Sequence, residues 1–476
     1  MRHTIFILFA GLLLATFSSC EDWLDVRPQT EIKVDDNFKT SQGYKDALTG
    51  IYMMMSDPAI YGRELSYGMV DLLGKQITQP YLTGDGAYAS FFRFDYETIQ
   101  AKSMIDAAWN KMYNVLANIN TLIEYIDKAD KAMFTGVEYN VIRGEAYGLR
   151  AFIHFDLLRL FGYSYKAGAD KKAIPYETTF SNKTTEFSTV AEVIGKALDD
   201  LKIAEDELAA DPVMNGDEIT DYSNYLRYRF HKFNYYAVKL LQARIHLYKS
   251  DYTEAFKAAD VIIKQDAFTW VPPGTVTTST LDNRNLIFWQ ELIFALYTSD
   301  MPTLMESWGT TYTKTIDEFN TVYETAQEGY SYDFRYQYLK LDTGSAYYHI
   351  KLNQYSDYVT NYTKRLPIMR ISEAYYIAAE CKLNQTSPDP NAATGYLNTV
   401  RQARNLYNDL QSGLTVEQVQ NEIFKEYAKE FVMEGQLFYY YKRLNSTNVR
   451  FYTTPVGSDD YVLPIPDAEI EGRLGE

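Results

Sequence analysis

Glu138-Tyr-Asn-Val-Ile-Arg-Gly-Glu-Ala-Tyr-Gly-Leu-Arg-Ala-Phe-Ile-His-Phe-Asp-Leu-Leu-Arg-Leu-Phe161 is the stretch whose periodicity sets the fold class. Within it Ile142, Ala146, Leu149, Ile153, Leu157 and Leu160 recur at steps of 4, 3, 4, 4 and 3, one face of an amphipathic helix. Gly162 follows directly and can supply a left-handed C-terminal cap, so a helix is expected over 138–161. Its expected partner runs from Ser103, an N-cap residue type, to Ala129, with Trp109, Met112, Leu116, Ile119 and Ile123 inward. The two form an αα-hairpin.

The same pattern recurs towards the C-terminus. Phe233 to Tyr248 and Tyr252 to Gln265 flank the polar turn Lys249-Ser250-Asp251, with Ala243, Ala255, Ala259 and Ile262 spaced for close helix approach. A third pair, Ile371–Leu383 and Ala392–Arg404, is separated by Ser387-Pro388-Asp389-Pro390. One last long helix is expected from Val416 to Arg443, before Leu463-Pro-Ile-Pro466 forbids helix. Stretches 56–100 and 271–362 show no sustained period, and long irregular loops usually serve function. Both are rich in aromatics, including Tyr81, Phe92, Tyr297, Trp308 and Tyr312. The expected class is mainly α, a tetratricopeptide-like helical-hairpin scaffold with long irregular aromatic-rich loops.

Composition narrows the function. The 476 residues are 46% hydrophobic and 23% charged, and 43 Tyr, 25 Phe and 5 Trp raise aromatics to 15%. A net charge of −17 repels phosphate backbones, which excludes a nucleic-acid partner. Arg2 and His3 precede the apolar run Ile5–Phe17, too short to span a bilayer and matched to a signal peptide over residues 1–19. Phe17-Ser18-Ser19-Cys20 resembles a bacterial lipobox, making Cys20 the expected lipidation site, and Glu21-Asp22 resembles a surface-export signal. Cys381 stands alone, so no disulfide framework is readable.

The search for reaction chemistry finds no constellation. Gly84-Asp-Gly-Ala-Tyr-Ala89 lacks the buried strand a dinucleotide loop requires, and no phosphate-loop, nucleophile-elbow or zinc-helix motif occurs. Glu426, Glu430 and Glu434 share a helix face, but Lys425 and Lys429 beside them point to salt bridges or a solvated face rather than glycoside hydrolysis. Asn215, Asp217, Glu218 and Asp221 lack the register of a calcium loop. What remains is binding: flat rings stack on the C–H faces of sugars while polar side chains bond the hydroxyls.

The ordered motifs carry a family resemblance. Cys20-Glu-Asp-Trp-Leu-Asp-Val-Arg-Pro-Gln-Thr-Glu31, Arg143–Ala151 running into Phe155–Gly162, Ile174-Pro175 and Glu291-Leu-Ile-Phe294 come first. Leu366–Ala374, Ala379-Glu380, Asn398–Asn405, Glu430-Phe-Val-Met-Glu-Gly435 and Leu463–Pro466 follow. Together they resemble the SusD/RagB family of surface nutrient-binding lipoproteins of Bacteroidetes, divided as 1–19 signal peptide, 20–235 N-terminal part and 236–476 C-terminal part packed as one body. Two departures, Glu426-Tyr427 and the aromatic run Phe438–Tyr441, mark a subgroup. In the structural reading of these motifs, Arg150, Asp156, Arg159, Arg370, Glu373 and Glu380 pair between helices.

The resemblance implies an outer-membrane, lipid-anchored, surface-exposed binding protein that is not an enzyme, and no cofactor or metal-ligand set is read in the sequence. It would capture an oligosaccharide or polysaccharide and pass it to a SusC-like TonB-dependent transporter. Alternatives are a lid for peptide or glycoprotein cargo, or a structural lid without its own ligand. The resemblance places the family's site in loops Gln76–Gln100 and Tyr297–Tyr332, within which Trp308, Tyr312, Tyr81 and Phe92 are expected as stacking platforms and Arg93 as a hydrogen-bonding group, with Asp71, just before the first loop, as a second hydrogen-bonding group.

Overall fold

A computed structural model describes residues 34–78, 86–181, 183–216, 224–308, 313–353 and 363–474. Residues up to Tyr44 make one compact unit and Lys45 onward a second. In the first, the turn Val34–Asn37 is followed by Phe38 and Tyr44, whose rings lie 4.8 Å apart. The main helices are α1 (Ser41–Met55), α2 (Ile99–Ile126), α3 (Glu138–Phe161), α4 (Val190–Leu208), α5 (Tyr235–Tyr248), α6 (Tyr252–Ile263), α7 (Ile371–Asn384), α8 (Pro390–Ala403), α9 (Val416–Glu430) and α10 (Gln436–Leu444). The strands are β1 (Lys172–Pro175), β2 (Phe187–Thr189), β3 (Leu292–Tyr297), β4 (Thr313–Thr315), β5 (Lys340–Asp342), β6 (Ala346–His349) and β7 (Arg365–Arg370). They pair antiparallel as β1-β2, β3-β7 and β4-β6-β5. The molecule is mainly α, and its successive helical hairpins agree with a tetratricopeptide-like scaffold.

The expected 138–161 helix forms over those residues, but it is not amphipathic. Every residue of α3 except Asn140 and Arg143 is buried, because α2 and α4 cover it from two sides. Glycines permit this: a Cβ on Gly144 would sit 2.6 Å from Leu208 Cγ, and one on Gly148 would sit 2.3 Å from the Phe233 ring. Gly162 is extended, with φ −99°, so it serves close packing on Leu158 and Ala173 and not a left-handed cap. α2 starts one turn before Ser103, because Thr98 accepts from Ala101 N at 3.3 Å.

Inside α3, polar groups are saturated. Arg150 makes a bidentate pair with Asp200 of α4 at 2.6 and 2.7 Å. His154 Nε2 accepts from Glu177 N at 2.9 Å, so its Nδ1–H donates to Arg150 O at 2.9 Å. Burial accordingly holds this imidazole neutral, pushing its pKa down to about 3. Asp156 and Arg159 pair within α3 itself, not between helices, and Arg159 then reaches Gln436 and the Tyr439 ring of α10.

α5 through α9 stack as consecutive antiparallel neighbours, with Ala243, Ala255, Ala259, Ala374, Ala378 and Ala393 fully buried at their seams. Arg244 of α5 grips Glu373 of α7 at 2.6 Å, and Arg443 of α10 grips Glu380 at 2.7 Å. The single helix expected over 416–443 is broken into α9 and α10. Met433 and Gly435 adopt left-handed conformations, with φ +64° and +71°, and a Cβ on Gly435 would meet Leu65 O at 2.6 Å. Cations compete for the backbone at the break, where Arg370 Nη2 and Lys351 Nζ donate to Glu430 O at 2.8 and 2.9 Å.

Glu426 and Glu430 of α9, with Glu434 just beyond it, are buried and salt-bridged. Glu430 binds Arg404, Arg370 and Arg335 at 2.5, 2.5 and 2.9 Å; Glu426 binds Arg335 and Arg401; and Glu291 binds Arg404 at 2.6 Å. Lys351 and Arg370 also hold Glu434. Although burial opposes ionisation, the surrounding cations hold Glu426 down at about 2 and Glu430 well below the usual carboxylate range. A depressed carboxylate contributes stability above its unfolded value and loses it as pH falls through the folded one. The urea midpoint is therefore expected to drop steeply between pH 4.5 and about 2, and Glu426→Gln, less stable at pH 7, should show a shallower drop over that window.

Candidate ligand-binding cleft

β3 and β7 run antiparallel with Tyr297 directly opposite Arg365. Side chains alternate along a strand, so Ala295, Tyr297 and Arg365 share one face, and that face is the floor of a cleft of about 710 Å³. The C-terminal end of α1 forms one wall through Tyr52, Met53 and Ser56. The segment Asn224–Lys232 forms the other through Tyr225, Tyr228 and Lys232.

The walls are fixed from behind. Ser56 Oγ donates to Tyr297 O at 2.8 Å, tying α1 to the end of β3. Tyr52 accepts from Phe233 N at 3.0 Å and donates to Glu145, whose carboxylate also holds Arg229. Arg229 in turn binds Asp211 at 2.6 Å, which anchors the second wall. Tyr228, one residue before, takes the left-handed conformation at φ +58°. These partners place rings and cations on rigid supports.

The cleft surface itself is left less satisfied. Tyr297 is 52% exposed and Met53 71% exposed. The Arg365 guanidinium lies 5.1 Å from the Tyr297 ring centre, and its buried Nε has no hydrogen-bond partner. Burial lowers its pKa from the ordinary value, with only tyrosines opposing. Lys232 Nζ sits 3.7 Å from the Tyr225 ring centre, and burial pushes it down to about 8. Such a surface offers apolar ring faces beside cationic donors.

The two loops expected to build the site do meet. Thr78 N donates to Thr313 O at 3.3 Å, Thr78 Oγ1 to Glu318 at 2.7 Å, and Lys314 Nζ to Lys75 O at 2.9 Å. Tyr81, Tyr312 and Cys20 lie outside the described residues, as does most of the stretch from Asn215 to Asp221. Trp308 is the last residue of helix Met301–Trp308, whose first turn borders the cleft through Asp300 and Leu304. Phe92 is half-buried, edge-on to Tyr452 at 6.1 Å, and with Phe94 and Tyr452 it surrounds the Lys75 ammonium at 3.7 to 4.7 Å. Arg93 is exposed, and its carbonyl accepts from Tyr452 at 3.1 Å.

Asp71 is a correction. It is 1% exposed, and its two oxygens accept from Met433 N at 2.8 Å and Gly435 N at 2.9 Å, which stabilises the break between α9 and α10. A carboxylate so placed holds the fold and has no face towards a ligand. Conversely, sequence reasoning missed Arg365, Lys232 and Tyr228. The signal for Tyr228 and Lys232 was present in Asn224-Tyr-Leu-Arg-Tyr-Arg-Phe-His-Lys232, a basic and aromatic run within an acidic chain.

Comparison with known proteins identifies the class. Residues 22–216 match a SusD-like family model described as starch-binding and associating with the outer membrane, and residues 300–472 match the SusD/RagB model of the SusD family. The chain belongs to the SusD/RagB family. SusD-like protein P2 of Formosa agariphila is 23% identical over 525 aligned positions, spanning 96% of each chain. A SusD superfamily protein from Bacteroides thetaiotaomicron superposes with a TM-score of 0.69 at 24% identity, covering 91% of this chain and 98% of that one. Surface glycan-binding protein A from the same organism, solved with laminarihexaose, superposes with a TM-score of 0.65 at 18% identity, covering 92% and 98%.

Asp71→Asn should separate a structural from a binding role. The substitution sets an amide N–H2 against a backbone N–H, and stability by chemical denaturation should fall by about 1–3 kcal/mol. Ligand affinity of the folded protein should be unchanged.

Proposed function

We propose that this protein is a cell-surface lipoprotein that captures oligosaccharide and delivers it to a partner TonB-dependent outer-membrane transporter. The observation that carries the reading is the match of residues 22–216 to a SusD-like model described as starch-binding and associating with the outer membrane, together with the match of residues 300–472 to the SusD/RagB model. The laminarihexaose complex of a structural relative supports a glycan as the cargo class. The chain's own chemistry agrees, since aromatic faces and polar donors together suit a sugar's apolar face and polar rim. In this reading the oligosaccharide lies across the cleft, with Tyr297 and Trp308 as platforms, and Tyr81, Tyr312, Phe92 and Arg93 are proposed as further contacts.

Anchoring follows from Cys20. Each acyl CH2 buried in the membrane contributes about 0.8 kcal/mol, so several chains on one residue hold the protein at the bilayer surface. Among the described residues no helix is long and apolar enough to cross a membrane, and the acyl chains supply the attachment.

Two measurements test the reading. In native gels containing plant, host or microbial polysaccharides, one polysaccharide should retard the protein, and Trp308→Ala or Tyr297→Ala should abolish most of that retardation. Absence of retardation by every polysaccharide would transfer the assignment to peptide cargo or to a structural lid. In detergent phase partition, protein expressed with its own leader should enter the detergent phase, and Cys20→Ala should leave it in the aqueous phase.

A further inference from the structure

Cations in this protein's interior are matched to carboxylates with few exceptions. Arg150 meets Asp200, Arg229 meets Asp211, Arg244 meets Glu373, Arg404 meets Glu291 and Arg443 meets Glu380. The chain has acid to spare, with 63 Asp and Glu against 46 Lys and Arg. Lys75, Lys314 and Lys442 are exceptions that donate to backbone carbonyls, Arg450 is a further one with an unpartnered nitrogen, and the cleft adds two more cations at an open surface. Arg365 forms no ion pair among the described residues, and its buried Nε finds no acceptor. Lys232 likewise has no carboxylate within ion-pair distance among the described residues, and it donates to Tyr225 O at 3.5 Å.

The acids bordering the cleft do not supply the missing charge. Asp57 is engaged by Lys111 at 2.8 Å, and Asp300 is exposed at the rim beside Ser299. A partly buried guanidinium without an anion is unfavourable unless something binds there. Its planar fork suits the two oxygens of a carboxylate or sulfate, and the Tyr297 ring 5.1 Å away offers a stacking face for the sugar carrying that group.

We infer that the cleft selects an anionic glycan, one bearing uronate carboxylates or sulfate esters, with Arg365 and Lys232 binding the charged group and Tyr297 stacking on the ring. This rests on the glycan-capture reading and names the class of sugar at that site.

The test compares each anionic polysaccharide with its own neutral form at fixed ionic strength. The purified mature protein is titrated with polygalacturonate and with its carboxyl-reduced product, and with a sulfated galactan and its desulfated product. Binding to one charged form, with loss on neutralisation, supports the inference, and the form bound distinguishes carboxylate from sulfate. Arg365→Gln should weaken that binding about ten- to a hundredfold, as expected for losing hydrogen bonds to a charged group. Lys232→Gln, on a separate segment, should weaken it less and provides a second variant should Arg365→Gln fold poorly; melting curves confirm folding. Equal binding of charged and neutral forms, or wild-type affinity in both folded variants, overturns the anionic selectivity and leaves glycan capture standing. Absence of binding to any charged or neutral glycan overturns both.

Discussion

The arrangement rests on one buried cluster of charge. Arg335, Arg370, Arg401, Arg404, Lys351 and Lys429 lie among Glu291, Asp333, Glu426, Glu430, Glu434 and Glu324, matched one for one, and most are almost fully buried. Removing such groups from water is costly, and each is tolerable only if its partners arrive in register. The partners come from the residue before β3, the end of β7, the ends of α8 and α9, and the loop holding Asp333. A shift of any one of these elements would strand a charge, so the cluster specifies their relative placement more strictly than apolar contact alone.

That specification reaches the cleft through two strands. β3 begins next to Glu291 and ends at Tyr297, while β7 begins at Arg365 and ends at Arg370. Each strand therefore has one end in the charge cluster and the other at the ligand surface, about 17–20 Å away at a rise near 3.3 Å per residue. The ladder acts as a stiff spacer. It holds the Tyr297 ring and the Arg365 guanidinium opposite each other without either needing a partner of its own, because their positions are set at the far end. A loop in the same place would not keep an unpaired guanidinium aimed at solvent.

What was legible in the sequence followed from local periodicity. The hairpin helices are spaced by apolar and small residues, and their limits fall within a few residues of expectation at α3, α5, α6, α7 and α8. α4 was also readable, since Thr189 and Glu192 form a capping box before Val193, Ala197, Leu201 and Ala204. The break between α9 and α10 was not legible, because its causes are distant: Arg370 acts on the backbone from 60 residues away, and Asp71 and Leu65 from more than 360. For the same reason Asp71 reads in the sequence as a hydrogen-bonding group for a ligand, when its partners are Met433 and Gly435. Part of the site was visible as aromatic density. The pairing of Tyr297 with Arg365 was not, because it requires knowing that β3 and β7 are neighbours.

Comparing the cations shows which of them are built for the interior. Lys75 is buried without a carboxylate, yet three rings surround its ammonium and Phe92 O accepts its proton at 2.5 Å. Lys314 is buried too, and it donates to Lys75 O. Both are therefore solvated by the protein, although burial still pushes them towards the neutral form, Lys314 to about 7. Arg365 differs in kind. A guanidinium does not shed its proton to escape burial in the way an ammonium does, and here it has one ring beside it and an Nε without an acceptor. A lysine at that position could relieve the cost by becoming neutral, whereas an arginine keeps a permanent positive charge facing the cleft. The choice of arginine there, in a chain rich enough in acid to neutralise it, leaves the missing carboxylate or sulfate to be supplied from outside.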